Sequence, residues 1–147
     1  MTTFTKGASE ICVKSALKLI APKKNPFSLR GKLTLDSISR APFIAFPRSS
    51  TLTPFVENRF LEENLNLNVV LVLNNYESVK KYVALGIGIA ILDDYALTGE
   101  DRKSLDIFSL DHFFGKRDYG LILRKKKYLS PAAKAFIRSI RPGIQFK

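Results

Sequence analysis

The chain is 147 residues long, 46% hydrophobic and 25% charged, with a formal net charge of +11. That length suits one ordinary domain with a real core, and that apolar fraction excludes a disordered chain. A single cysteine, Cys12, excludes an internal disulfide and a cysteine-based metal cluster, while the single histidine, His112, lacks the partners a metal site needs. No apolar run approaches the roughly 20 residues of a membrane-spanning helix. Residues 1–24 lack a continuous apolar segment and a small-residue cleavage site, so they do not read as a signal peptide. The expectation is a cytoplasmic protein without a membrane partner. The basic residues are spread over Lys14, Lys18, Lys23, Lys24, Arg30, Lys32, Lys80, Lys81 and the run Arg124, Lys125, Lys126, Lys127. No recognition-helix or zinc-finger pattern accompanies them, which favours a solvated basic surface over a nucleic-acid interface.

Residues 1–14 carry no clear pattern. Residues 16–21 predict a strand, closed by the turn cluster Pro22, Lys23, Lys24, Asn25, Pro26. Residues 33–38 predict a short helix capped by Thr34, and Pro42 introduces a strand over 43–46. The polar loop Pro47, Arg48, Ser49, Ser50, Thr51 leads to a helix over 54–64, with Thr53 as cap and Pro54 at the first helical position. Phe55, Val56, Phe60 and Leu61 are its expected buried stripe. A strand over 69–73 follows. Asn75 then caps a helix that carries Glu77 in its first turn, where negative charge is favoured. Val79, Tyr82, Val83 and Leu85 recur at roughly helical spacing, Gly86 ends the helix, and residues 87–92 form an apolar run of buried-strand type. Asp93, Asp94 and Tyr95 open a short helical segment ending near Gly99. Beyond it lie a strand over 105–108, a loop over 111–117, a strand over 119–123 and a last helix. Ser130 and Pro131 start that helix, and Ala132, Ala133, Phe136, Ile137 and Ile140 are its apolar face. Strand, helix and strand in close succession predict an α/β fold with residues 43–46, 69–73 and 87–92 parallel in one sheet.

Catalytic constellations come up short. The FPRSST segment is not the G-x-S-x-G elbow of a hydrolase. Asp93 and Asp94 are sequence neighbours, which point in different directions rather than converging as an acid/base pair. Gly86 and Gly88 end a helix and enter a strand, the reverse of a dinucleotide fingerprint. No catalytic residue, metal ligand or cofactor is expected. Binding has the better case. Ser49, Ser50 and Thr51 lie between a strand end and a helix N-terminus, and Asn74 and Asn75 occupy the same kind of position after the next strand. Helix N-termini hold anions, and ligands of open α/β sheets settle beyond the carboxyl ends of the strands. Arg48 would add charge, whereas Glu77 opposes an anion at the second helix. Ser, Thr and Asn are also the preferred helix caps, so spacing by itself leaves capping and anion binding both open.

The segment YVALGIGIAIL, with SLRGKLTLDSISRAPFIAFPRSST upstream and GLILRKKKYLSPAAKAFIRSI downstream, resembles the effector-binding domain of LysR-type transcriptional regulators. Within that family it is most similar to the branch containing the cysteine-biosynthesis regulator, and the resemblance runs from about residue 17 to residue 140. It implies a type II periplasmic-binding-protein fold, α/β in three α/β/α layers with a mostly parallel sheet. Residues 43–116 would be the complete second lobe, and residues 15–42 and 117–147 a partial first lobe; the winged helix-turn-helix has no counterpart here. It also places Thr51 and Asn74 where hydroxyl residues of that branch contact a bound anion, and an asparagine at the second position departs from the pattern. The implied function is non-enzymatic: a small anionic metabolite is sensed, and a homodimer passes the signal to DNA through an N-terminal domain absent from this sequence. A dimer surface is expected near residues 16–21 and 119–123, where the missing part of the first lobe would leave apolar area uncovered. The alternatives are a free-standing solute-binding protein of the same fold and a basic nucleic-acid-binding module.

Overall fold

A computed structural model describes residues 12–24, 26, 27, 29, 31–121, 128–140 and 142–144. The basic run Arg124, Lys125, Lys126, Lys127, together with Arg30, Asn25 and the end of the strand expected over 119–123, lies outside the described residues. The chain forms two compact units, one of residues 15–117 and one of residues 1–14 with 118–147.

In the larger unit the elements follow in order as β1 (Cys12–Pro22, which begins in the other unit), α1 (Leu35–Arg40), β2 (Pro42–Ala45), α2 (Leu52–Glu62), β3 (Asn68–Val72), α3 (Tyr76–Ala84) and β4 (Ala90–Asp93). Two short 3-10 turns, β5 (Leu105–Ser109), α4 (Asp111–Phe114) and the start of β6 (Lys116–Gly120) complete it. β2 and β3 pair in parallel, with Phe43 opposite Val69 and Ala45 opposite Val72. Ile89 extends this ladder on the far side of β2: it donates its N–H to Pro42 O at 2.8 Å and accepts from Ile44 N–H at 2.8 Å, a parallel bridge to Phe43. The parallel direction of all three segments is therefore as expected, but residues 87–92 contribute only Ile89 to it. From Ala90 onward the run enters a second sheet, where β4 and β5 flank β1 and both pair with it antiparallel, and β6 also pairs with β1. This corrects the mostly parallel sheet. A short apolar run buried on both faces reads alike in either kind of sheet, because its residues do not alternate.

β1 is the centre of the larger sheet, so Leu17, Leu19, Ile20 and Ala21 are all fully buried. The expectation of uncovered apolar surface at residues 16–21 is thus overturned, since β4 and β5 occupy both edges of β1 and its apolar side chains are buried. Among the described residues, three neighbouring valines of β3 are exposed instead: Val69, Val70 and Val72, at 41%, 49% and 53%.

Local chemistry explains most element ends. Thr34 and Ser37 form a reciprocal capping box at the start of α1. Asn75 caps α3 by accepting the Ser78 N–H at 2.8 Å. At the other end Gly86 (φ 86°) donates to Val83 O and Ile87 to Tyr82 O, the pair of bonds of a Schellman stop. α2 starts two residues earlier than expected, at Leu52. Thr53 is not its cap; it is buried, and its hydroxyl donates to Phe46 O at 2.8 Å. Pro54 is tolerated there because an N–H in the first turn has no partner within the helix. Of the expected stripe only Val56 and Phe60 are buried, together with Leu52 and Thr53, while Phe55 and Leu61 are exposed. Residues 111–117 are not a plain loop: α4 ends at Gly115 (φ 66°), whose positive φ re-aims the chain into β6. In the smaller unit, α5 (Pro131–Ile140) is capped as expected by Ser130, which accepts the Ala133 N–H at 3.2 Å. Of its apolar face only Ile137 is buried, while Phe136 and Ile140 are exposed.

On α3 the buried face includes Lys80 beside Val79 and Val83, which apolar spacing could not show. Its ammonium donates to Ala96 O at 3.0 Å and to Asp101 at 3.1 Å, and pairs with Glu77 at 2.7 Å. Burial acts against the charged amine, but Glu77 and Asp101 outweigh it and hold Lys80 above its ordinary value. Burial likewise acts against the Asp101 carboxylate, and the Thr98 N–H with Lys80 outweighs it and holds Asp101 below its ordinary value. A lowered acid contributes stability above its unfolded value, near pH 4, that is lost as pH falls through its folded value. A raised amine contributes stability below its unfolded value, near pH 10, that is lost as pH rises through its folded value. Urea unfolding across pH is expected to show both limbs in the parent chain, the acid limb reduced in Asp101→Asn and the alkaline limb reduced in Lys80→Met. Identical profiles would remove this pair from the account.

Candidate functional site

Because β2 and β3 are parallel neighbours, their carboxyl ends lie side by side. The loop entering α2 is therefore adjacent to the loop entering α3. Leu73 N–H donates to Ala45 O at 3.0 Å, and the rings of Phe46 and Tyr76 meet edge to face at 5.1 Å.

The six residues expected here divide by what each side chain is already doing. Arg48 is exposed and pairs with Glu57 at 3.4 Å, and Ser49 is exposed in the turn. Ser50 acts as a cap: its hydroxyl accepts the Thr53 N–H at 3.3 Å. Asn75 caps α3 as described. Thr51 stands at the start of α2 yet makes no capping bond; its hydroxyl accepts from Arg117 Nη2 at 3.0 Å. Asn74 is exposed, with its oxygen accepting from Asn75 Nδ2 at 3.4 Å. Ser50 and Asn75 are thus committed to helix ends. Thr51 retains its hydroxyl proton, and Asn74 its amide hydrogens, as donors.

Three further residues, Asp93, Arg117 and Tyr76, join these loops, and the sequence pattern placed none of them in the site; Asp93, expected to open a helical segment, ends β4. Asp93, at the end of β4, is fully buried. Its carboxylate accepts from Ser15 at 3.2 Å, from the Tyr76 hydroxyl at 3.1 Å and from Arg117 Nη1 at 3.2 and 3.1 Å. Arg117 also lies over the Phe55 ring, 5.3 Å from its centroid. The Tyr76 hydroxyl meets that of Tyr95 at 3.0 Å. Burial first, then Tyr95 and Asp93, push the Tyr76 phenol well above its ordinary value, so it stays protonated. Thr51, Arg117, Asp93 and Tyr76 form one chain of polar contacts that ties the first loop to the residue following Asn75. One signal was available: an acidic residue closing a wholly apolar run needs a buried partner. It could not say that the partner is Arg117, 24 positions away.

The cluster contains hydrogen-bond donors and a compensated ion pair rather than a nucleophile with a base. Among the described residues no group of three or more His, Cys, Asp or Glu could hold a metal ion, and no helix is long and apolar enough to cross a membrane.

Comparison with known proteins adds the family. A family model described as the LysR substrate binding domain matches residues 8–145. A probable RuBisCO transcriptional regulator of Phaeodactylum tricornutum is 26% identical over 133 residues, covering 88% of this chain and 43% of the relative. The HTH-type transcriptional regulator CysB of Burkholderia cenocepacia is 24% identical over 128 residues, covering 87% of this chain and 41% of the relative. The chain thus spans under half the length of these curated relatives. Among solved structures, the CcmR regulatory domain of Synechocystis PCC6803 in complex with 2-PG superposes with a TM-score of 0.74 at 22% identity, covering 95% of this chain and 69% of that one.

Proposed function

The chain belongs to the LysR substrate-binding domain family, and from that premise we propose that it is the effector-binding part of a transcriptional regulator, sensing a small anionic metabolite. The observation that carries the reading is the pair Thr51 and Asn74, on adjacent loops beyond the carboxyl ends of parallel strands, each with donors not spent on a helix cap. A relative of the same fold is known with the small ligand 2-PG, and the two relatives named above are transcriptional regulators. Residues 43–116 serve in this reading as one lobe, residues 15–42 and 117–147 as part of the other. The ligand acts by binding one arrangement of a homodimer more tightly than another. DNA is contacted by a separate N-terminal domain of the regulator, in the cytoplasm, and no catalysis is involved.

Titration calorimetry with sulfate and small carboxylates tests the site. Thr51→Ala is expected to lose about 1.5–3 kcal/mol of binding, the scale of one hydrogen bond to a charged group, which is roughly a ten- to hundredfold loss of affinity. Equal affinities for both forms would leave Thr51 a helix-end residue and remove the reading. Sedimentation velocity at tens of micromolar, roughly, is expected to show a dimer, and a clean monomer would count against the proposed transmission.

A further inference from the structure

We infer that Arg117 is a positioning residue, fixing the direction in which Thr51 presents its hydroxyl proton; the inference rests on the anion-binding reading only for the use made of that proton. Thr51 is exposed and makes no bond within its own helix start, so its own segment does not fix its side chain among the staggered wells. Arg117, 66 positions away, supplies what is missing through Nη2. The guanidinium is itself held still. Its side chain is 10% exposed, its Nη1 engages both oxygens of an Asp93 whose side chain is 1% exposed, and its Cζ lies over the Phe55 ring. Asp93 is anchored in turn by Ser15 and Tyr76.

A guanidinium is a rigid planar fork, so fixing Nη1 on the carboxylate fixes where the Nη2 hydrogens point. It has no lone pair to offer. The Thr51 oxygen must therefore accept from it, and the single Thr51 proton is turned away from Arg117. Through this contact the start of β6 determines how the first loop offers its donor.

Arg117→Lys separates positioning from simple stabilisation, because a lysine can still place a positive charge on Asp93 but has no second arm for Thr51. Three-bond couplings to the Thr51 methyl carbon in labelled chain report its rotamer. One rotamer is expected in the parent and averaging among rotamers in Arg117→Lys, with the amide spectrum of the folded chain otherwise kept. Sulfate affinity is expected to fall roughly tenfold in Arg117→Lys and in Thr51→Ala, and no further in the double variant. A Thr51 rotamer unchanged in Arg117→Lys, or losses that add in the double variant, would overturn the inference. Asp93→Asn, which loosens the guanidinium's anchor, is the second variant should Arg117→Lys not fold; it must show the same averaging, and an unchanged rotamer there also overturns it. If the rotamer averages but the parent chain binds no sulfate, the positioning holds and the anion-site reading falls.

Discussion

Arg117→Ala is expected to lower the unfolding free energy by about 3–5 kcal/mol, read as a shifted midpoint in urea at unchanged slope. The pair it breaks is enclosed on both sides, with side-chain exposures of 10% for Arg117 and 1% for Asp93. Removing the cation leaves a carboxylate with hydrogen bonds from Ser15 and Tyr76 but without the Arg117 charge, and breaking one side of a buried ion pair is the costly case. Replacing the pair as a whole should be far milder. In Asp93→Leu/Arg117→Met the apolar side chains take up the vacated volume, and the two hydroxyls that had faced Asp93 keep other partners. Ser15 still reaches Asp94 at 2.8 Å, and Tyr76 still reaches Tyr95 at 3.0 Å. A double variant no more stable than Arg117→Ala would show that the cost lies in packing or in Thr51 rather than in the broken charge pair.

The second large effect is expected at Gly88. A Cβ built there would stand 2.5 Å from Pro42 O and 3.0 Å from Pro42 C, both backbone atoms. The same Pro42 oxygen accepts the Ile89 N–H, so moving it to make room also breaks the bridge that joins Ile89 to β2. Overpacking and one lost hydrogen bond together put Gly88→Ala at roughly 2–4 kcal/mol of destabilisation. Gly86 is the control. Its Cβ would meet nothing within 4 Å, and only its positive φ resists a side chain, which is worth about 1–2 kcal/mol. Gly86→Ala should therefore unfold between the parent and Gly88→Ala. The reverse order would mean that Pro42 yields easily and that close backbone approach is not why a glycine stands at position 88.

The two glycines illustrate what a sequence can carry. Gly86 was legible as a helix stop because that role follows from local backbone geometry and the preceding helical pattern. Gly88 owes its place to Pro42, 46 positions earlier, and nothing near it in the chain says so. The same division runs through the site. Asn75 as a cap and the approximate places of β2, β3 and α3 follow from propensities acting over a few residues, and the family likeness followed from their order and spacing. The parallel direction of residues 43–46, 69–73 and 87–92 followed as well, because strand–helix–strand connections leave little other choice.

What only the tertiary structure decided were the pairings of distant segments that no strand–helix–strand crossover joins. It turned Ala90–Asp93 into the antiparallel sheet on β1, buried residues 16–21 that a missing neighbour was expected to expose, and set Lys80 on Asp101 and Arg117 on Asp93. It also divided the candidate site, assigning Ser50 and Asn75 to helix ends and leaving Thr51 beside Arg117. Periodicity reports whether a residue faces a core, and capping rules report on its nearest neighbours. A charged side chain buried against a partner obeys neither, because its energy depends on which opposite charge the fold delivers within about 4 Å.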